Sequence, residues 1–373
     1  MTEGPVPVTV LTGFLGAGKT TLLNRLLRDP LAAGTAVIVN ELGDIGIDHL
    51  LVEQSSEGLI ELSDGCLCCA VRGELVDTLA DLLDRMQTGR IAPLKRIVIE
   101  TTGLADPVPV LQALMGHPVL ADMLSLDGVV TVVDAVNGAA TLDNHVESVR
   151  QVAVADRLVL SKRAMADADA VAALTARLAR LNADATILDG DDPAASGAGA
   201  LFGLGLWNAA TKSADVARWL GEAAHDDHHH HHHDHDHDHD GHHHHHGVHD
   251  PRVKSFSLVH DKPVAWQTIV MFLDLLRSVE GERLLRMKGI VELEEGRERP
   301  LVIHGVQKLL HPPARLPAWP EGPRGSRLVL IGFDLDEAYV RKLFAAFTGA
   351  PAVDTPDRVA LTQNPLAVPG FTG

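Results

Sequence analysis

The stretch Val8-Thr9-Val10-Leu11-Thr12-Gly13-Phe14-Leu15-Gly16-Ala17-Gly18-Lys19-Thr20-Thr21 decides the fold. Val8–Leu11 is a short β-rich run, and Thr20–Arg28 has the pattern of a helix. Between them, Gly13–Thr20 fits GxxxxGK[ST], the spacing of a phosphate loop, in the strand–loop–helix context that spacing requires. Glycines let backbone N–H groups curl around phosphate oxygens without Cβ clashes. The helix N-terminus behind the loop adds partial positive charge. Gly13, Gly16, Ala17 and Gly18 therefore form the expected cradle. Lys19 is expected to reach the β- and γ-phosphates and the Thr20 hydroxyl to hold Mg²⁺, with Thr21 beside it.

Further apolar runs of strand length follow at Ala36–Asn40, Arg96–Glu100, Gly128–Val133 and Arg157–Leu160. Helical patterns such as Glu74–Met86 and Asp169–Leu181 lie between them. This repetition predicts an α/β sandwich, a P-loop NTPase fold with a mainly parallel sheet covered on both faces. Residues 190–212 read as irregular, and Lys212–Ala224 as a short helix. A second pattern begins near Val253, with strands at Ser255–Val259, Ile290–Leu293, Leu301–His304 and Arg327–Ile331. With helices at Ala265–Ser278 and Leu335–Phe347, it predicts a smaller C-terminal α+β domain. The expected division is 1–215 for the phosphate-loop domain, 216–252 for a linker, 253–350 for the second domain and 351–373 for a proline-containing tail.

Glu100 closes the apolar run Arg96–Glu100, directly before Thr101-Thr102-Gly103. An acid at that place is where a phosphate-loop enzyme sets a carboxylate on Mg²⁺ or on the attacking water. Gly103 lets the backbone swing toward a γ-phosphate. The stretch Asn40-Glu41-Leu42-Gly43-Asp44-Ile45-Gly46-Ile47-Asp48 reads as an acid-lined loop, either a nucleotide-sensitive cation ligand or an ordinary solvated loop.

The chain of 373 residues carries a net charge of −18, which argues against nucleic-acid binding. Its three cysteines all sit in Gly65-Cys66-Leu67-Cys68-Cys69. A disulfide framework would spread an even number through a small domain; this cluster instead suggests reduced thiols. Three thiolates within four residues can converge on one Zn²⁺, Cu⁺ or Co²⁺ ion, and Glu41 or Asp48 could supply a fourth ligand. Three small residues in a buried turn is the plainer alternative. Residues 225–250 are low in complexity and hold seven Asp. His228, His229, His230, His231, His232 and His233 form one run; His242, His243, His244, His245 and His246 form another. Imidazoles beside carboxylates attract Zn²⁺, Ni²⁺, Co²⁺ or Cu²⁺ in many weak sites, so the tract reads as a metal buffer that doubles as the linker. No leader pattern and no long apolar span is present, which gives a cytoplasmic expectation with no membrane partner.

The ordered set Gly13–Thr20, Asn40-Glu41-Leu42-Gly43, Gly65–Cys69 and Glu100–Gly103 resembles the CobW-like GTPases. The later stretches Gly281–Gly289, Gly305-Val306-Gln307 and Leu328–Gly332 resemble that family's C-terminal domain, and a His-rich linker is typical of it. The resemblance implies a GTPase related to the urease and hydrogenase nickel-insertion GTPases. Its cofactors would be GTP and Mg²⁺, and its cargo Zn²⁺, Co²⁺ or Ni²⁺ for a client metalloprotein or metal-insertion complex. A nucleotide- or metal-dependent homo-oligomer is compatible with it. It also implies that Lys19 and Thr20 bind phosphate and Mg²⁺, that Glu100 is catalytic, and that Glu41 and Asp48 belong to the first switch. Cys66, Cys68 and Cys69 would hold the cargo.

Ser161-Lys162-Arg163-Ala164 departs from the family's Asn/Ser/Thr-Lys-x-Asp, in which the acid accepts from guanine N1–H and its 2-amine. Ser161 and Lys162 remain base-side candidates; Ala164 has no acceptor, and Asp167 is the substitute expected if the loop folds back. Two competing functions are a metal store with slow nucleotide turnover, resting on the His tract, and a kinase or ATPase, which leaves the cysteines unexplained.

Overall fold

Apolar runs buried on both faces belong in a parallel sheet, and Val6–Gly13 (β1), at the heart of the molecule, is buried at every position but Pro7. The computed structural model describes residues 4–40, 59–61, 70–204, 252–311, 313–319 and 324–349. Lys19–Leu27 (α1) follows the phosphate loop and buries Leu22, Leu23 and Leu26. Next come Thr35–Asn40 (β2), Leu59–Glu61 (β3), Ala70–Gln87 (α2) and Arg96–Thr101 (β4). Leu75, Leu79, Leu82 and Leu83 of α2 are buried, the helical repeat that places one stripe on the sheet. Val108–Gly116 (α3) and Pro118–Met123 (α4) lead into Leu124–Asp134 (β5). Gly138–Asn144 (α5), Val146–Ala153 (α6), Arg157–Ser161 (β6), Ala168–Leu181 (α7), Thr186–Asp189 (β7) and the single turn Ala198–Leu201 (α8) complete this half.

The seven strands run in the order β3-β2-β4-β1-β5-β6-β7, and every pair is parallel. Parallel neighbours send their C-terminal ends to one edge, so Gly13, Thr101, Asp134 and Ser161 emerge together, the crevice where such sheets bind ligands.

The second half is Val253–His260 (β8), Trp266–Glu280 (α9), Leu284–Val291 (β9), Leu301–Val306 (β10), Leu309–Leu310 (β11), Ala314–Arg315 (β12), Ser326–Phe333 (β13) and Glu337–Thr348 (α10). Its sheet is antiparallel, ordered β11-β10-β9-β13-β8, with β12 on β10. Ile269, Phe272, Leu273 and Leu276 of α9 form its buried stripe. This is the α+β arrangement expected.

Most strands extend one or two residues past their predicted bounds, but two start four or more residues early, and buried polar residues explain both. The strand expected at Ile290–Leu293 starts at Leu284 and ends at Val291. Arg286 and Lys288 break the apolar run, yet both are buried, because Asp156 of the first half pairs with each of them. The strand expected at Gly128–Val133 spans Leu124–Asp134. Its Asp127 is buried against Thr9 Oγ1 at 3.1 Å and Gly203 N–H at 2.9 Å. Part of the segment read as irregular is ordered as α8. The expected helix Lys212–Ala224 and the tail 351–373 lie outside the described residues.

The halves share a core: Leu285, Val306 and Ile331 pack in the cluster built on β1, β2, β4, α2 and α3. Gln112 of α3 donates to Gln307 Oε1 at 2.6 Å. Among the described residues no helix is long and apolar enough to cross a membrane.

Candidate functional site

The phosphate loop turns because three of its glycines hold positive φ: 142° at Gly13, 70° at Gly16 and 99° at Gly18. A Cβ on Gly13 would lie 2.4 Å from the Val132 carbonyl oxygen, so only glycine passes this close to β5. Ala17 N–H closes the turn on Phe14 O at 3.1 Å. Lys19 Nζ spans the loop to Gly13 O at 2.9 Å, which holds the ammonium at the mouth of the cradle.

Glu100, buried at 5% exposure, is the last residue but one of β4 and lies directly opposite Leu11 of β1. That register carries it beneath α1, where Thr20 Oγ1 donates to its Oε1 at 3.2 Å. A hydroxyl and a carboxylate are hard oxygen donors of the kind Mg²⁺ takes beside phosphate, so this pair fits that ion. One residue on, Thr101 Oγ1 donates to Thr12 Oγ1 at 2.7 Å and ties the ends of the two strands together.

Gly103 lies against the phosphate loop: a Cβ there would be 2.5 Å from Leu15 N and 2.7 Å from its Cα. Gln151 on α6 fixes this loop, donating from Nε2 to Gly103 O at 3.1 Å and Ala105 O at 3.0 Å. Arg150 pairs with Asp106 at 2.7 Å. Neither Arg150 nor Gln151 was foreseen. The available signal was a glutamine on the inward face of a short amphipathic helix, where Val149 and Val152 are buried beside it.

On the other flank, Ser161 Oγ donates to Ala17 O at 2.7 Å. Lys162 adopts left-handed backbone, φ 57°, and lays its ammonium on Gly16 O and Asp134 Oδ2, each at 2.8 Å. Ser161 and Lys162 thus both touch the phosphate loop. Asp134, which the sequence reading passed over, ends β5. Burial would raise its carboxyl pKa, but hydrogen bonds from Lys162, Asn137 and the Val136 and Asn137 backbone hold it below the usual range. A cavity of about 270 Å³ opens behind the loop between Phe14, Asp134, Asn137, Thr141 and Gln151.

Asp167 does not fold back to replace the acid missing at Ala164. It caps α7, its Oδ1 accepting from Asp169 N at 2.9 Å and Ala170 N at 3.3 Å. A cap commits the carboxylate to its own helix. The carboxylate at the 161–164 turn is instead Asp191, which accepts from Lys162 N and Ala164 N, each at 2.9 Å.

Glu41, Asp48, Cys66, Cys68, Cys69 and the histidines of 228–233 and 242–246 all lie outside the described residues. Among the described residues no group of three or more His, Cys, Asp or Glu is placed to hold a metal ion.

Residues 7–189 match the family described as CobW/HypB/UreG, nucleotide-binding domain, and residues 253–348 match the cobalamin synthesis protein cobW C-terminal domain. The chain is 34% identical over 347 residues to the zinc chaperone YjiA of Escherichia coli K12, covering 91% of this chain and 98% of that protein. It is 32% identical over 381 residues to a zinc chaperone CobW of Sinorhizobium, covering 92% and 98%. The crystal structure of Zn(II)-bound YjiA GTPase from E. coli superposes with a TM-score of 0.61 at 28% identity, covering 92% of this chain and 99% of that one.

Proposed function

This chain belongs to the CobW/HypB/UreG family, and we propose that it is a GTP-hydrolysing metal chaperone that carries zinc to a client metalloprotein. The observation that carries the reading is the Thr20–Glu100 contact of 3.2 Å at the mouth of the phosphate loop. Relatives named zinc chaperones, matched over nearly their whole length, support the cargo.

In this reading the backbone N–H groups of 13–20 bind the phosphates. Lys19 leaves Gly13 O for the β- and γ-phosphates, and Thr20 and Glu100 hold Mg²⁺. Held there, the ion would offset negative charge on the phosphates. The second Glu100 oxygen orients the attacking water. Gly103, pinned by Gln151, brings its backbone to the γ-phosphate side. Cys66, Cys68 and Cys69 bind the cargo ion with Glu41 or Asp48, and the His tract within 216–252 gathers metal between the nucleotide domain 1–215 and the domain 253–350. Nucleotide and metal affinities are then coupled, equally in both directions.

The test is Zn²⁺ affinity by chelator competition, with and without Mg²⁺ and a non-hydrolysable GTP analogue. It is run on the full chain and on one lacking residues 225–249, whose histidines mask a single thiolate site. The chaperone reading expects a tight site that survives the deletion, shifts with nucleotide and vanishes in the Cys66→Ser, Cys68→Ser, Cys69→Ser variant. Zinc affinity indifferent to nucleotide would leave a metal buffer joined to an uncoupled hydrolase and would sink this reading.

A further inference from the structure

We propose that Asp191 is the carboxylate that reads the guanine edge, taking the part of the acid absent at Ala164. The inference rests on the GTP reading above and names the residue that makes the choice of base.

The sheet delivers Asp191 to that place. β7 runs parallel beside β6, with Leu160 opposite Asp189, so the loops after the two strands leave the sheet side by side. Gly190 presses them together: its N–H donates to Leu160 O at 2.8 Å, and a Cβ there would lie 2.8 Å from that oxygen and 3.0 Å from Ser161 Cα. From below, Arg25 of α1 donates to Gly190 O at 2.8 Å. Asp191 is therefore held against the 161–164 turn, and its Oδ2 sits 2.9 Å from the backbone nitrogen of the residue where the acceptor is missing.

Its chemistry also fits. The neighbouring acids have other partners: Asp134 pairs with Lys162, Asp189 with Arg163, and Asp192 Oδ1 accepts from Ala194 N–H. Asp191 takes one backbone N–H on each oxygen. A carboxylate offers about four acceptor directions, so roughly two remain, and the residue is exposed. Guanine presents adjacent N1–H and 2-amine donors, which a carboxylate accepts together. Adenine presents a ring-nitrogen acceptor at that edge, which a carboxylate repels. The small Ala164 side chain leaves the approach to this edge open.

The plainer role for Asp191 is to tie down the turn at Arg163–Met165 without touching the base. Steady-state hydrolysis of GTP, XTP and ATP by the full-length chain and by Asp191→Asn separates the two, with thermal melting as the check on folding. The carboxamide donates where the carboxylate accepted, so it repels the guanine 2-amine and suits the xanthine 2-oxo group. Asp191→Asn is expected to lower kcat/KM for GTP about tenfold to a hundredfold, to raise it for XTP, and to leave ATP unchanged. An equal fall for all three nucleotides, or no change, would overturn the proposal. Should the variant melt early, ITP on the unaltered chain serves instead: without the 2-amine it should be the poorer substrate, and parity with GTP overturns the proposal. Wild-type turnover of ATP and GTP at equal rates would bring down the GTP reading itself, whatever the variant does.

Discussion

The Asp156 carboxylate accepts a 2.6 Å hydrogen bond from Arg286 Nη2, across 130 positions of chain and between the two halves of the molecule. Lys288 reaches its other oxygen, Arg286 also donates to Val154 O, and Val129 N–H donates to Asp156 Oδ2 at 2.8 Å. Arg286 and Lys288, two apart on β9, share a strand face, which is how one carboxylate can meet both. Burial opposes ionisation of Asp156, but the two cations and their hydrogen bonds hold its pKa far below the carboxylate range. Lys288 is pushed down to about 8, by burial first and then by Arg286.

Removing the carboxylate takes from two buried cations the anion they share. Asp156→Ala is expected to lose about 3–5 kcal/mol of stability. Replacing all three residues by Leu and Met of similar volume should cost less than that single change. Urea unfolding of the two variants checks the order; a single variant at wild-type stability would show the contact to be idle.

His304 gives the fold an acid limit. Its residue is partly exposed, but Nε2 is shut off from solvent and has no hydrogen-bond partner among the described residues. Burial, then Arg286 and Lys288, hold its pKa well below the ordinary value of 6.5, with Asp156 opposing. The unfolded chain takes up this proton near pH 6.5 and the folded chain does not. The contribution is therefore complete above about pH 6.5 and declines as pH falls below it. Melting temperature between pH 7.5 and 5.5 should fall more for the wild type than for His304→Gln; parallel curves would remove His304 as the cause.

Glu100→Gln keeps the shape and the acceptor for Thr20 but loses the charge. We expect kcat for GTP to drop about 10²- to 10⁴-fold. Melting temperature should stay close to the wild type. Unchanged turnover would mean that another carboxylate carries the role.

Gly103→Ala drives a Cβ into Leu15 backbone, which cannot yield as a flexible side-chain tip can. A displacement of the loop of about 1 Å is expected to cost on the order of 10²-fold in kcat. Gln151→Leu should act on the same loop from the other side, at about 1–3 kcal/mol of stability, because two carbonyls lose their donor. If Gly103→Ala hydrolyses GTP normally, the loop does not face the reacting phosphate.

Local pattern made the nucleotide half legible. Gly13–Thr20 and Glu100 were readable because loop chemistry and strand ends are local, and the β1–β4 register then brings Thr20 and Glu100 within 3.2 Å. What escaped was long-range pairing. Gln151, Asp134 and Asp191 act through partners 27 to 48 positions away along the chain, which periodicity cannot report. Arg286 and Lys288 misled the reading of β9 for the same reason: charges look solvent-facing until the distant Asp156 is known. Ala164 lacks an acceptor by its residue type alone, but the carboxylate beside it comes from the loop after β7, not from its own loop, where Asp167 is engaged as a cap.

The charge triad also constrains how such a sequence can drift. A neutral residue at 156 takes away the anion that both cations share, while a neutral residue at 286 or 288 leaves the carboxylate with one cation and an altered balance. The intermediate that loses the shared anion first is less stable than either end state, all charged or all apolar. Positions 156, 286 and 288 should therefore change together across descendants of this sequence, and a natural hybrid of two such proteins, joined between the halves, should fold only when both parents made the same choice.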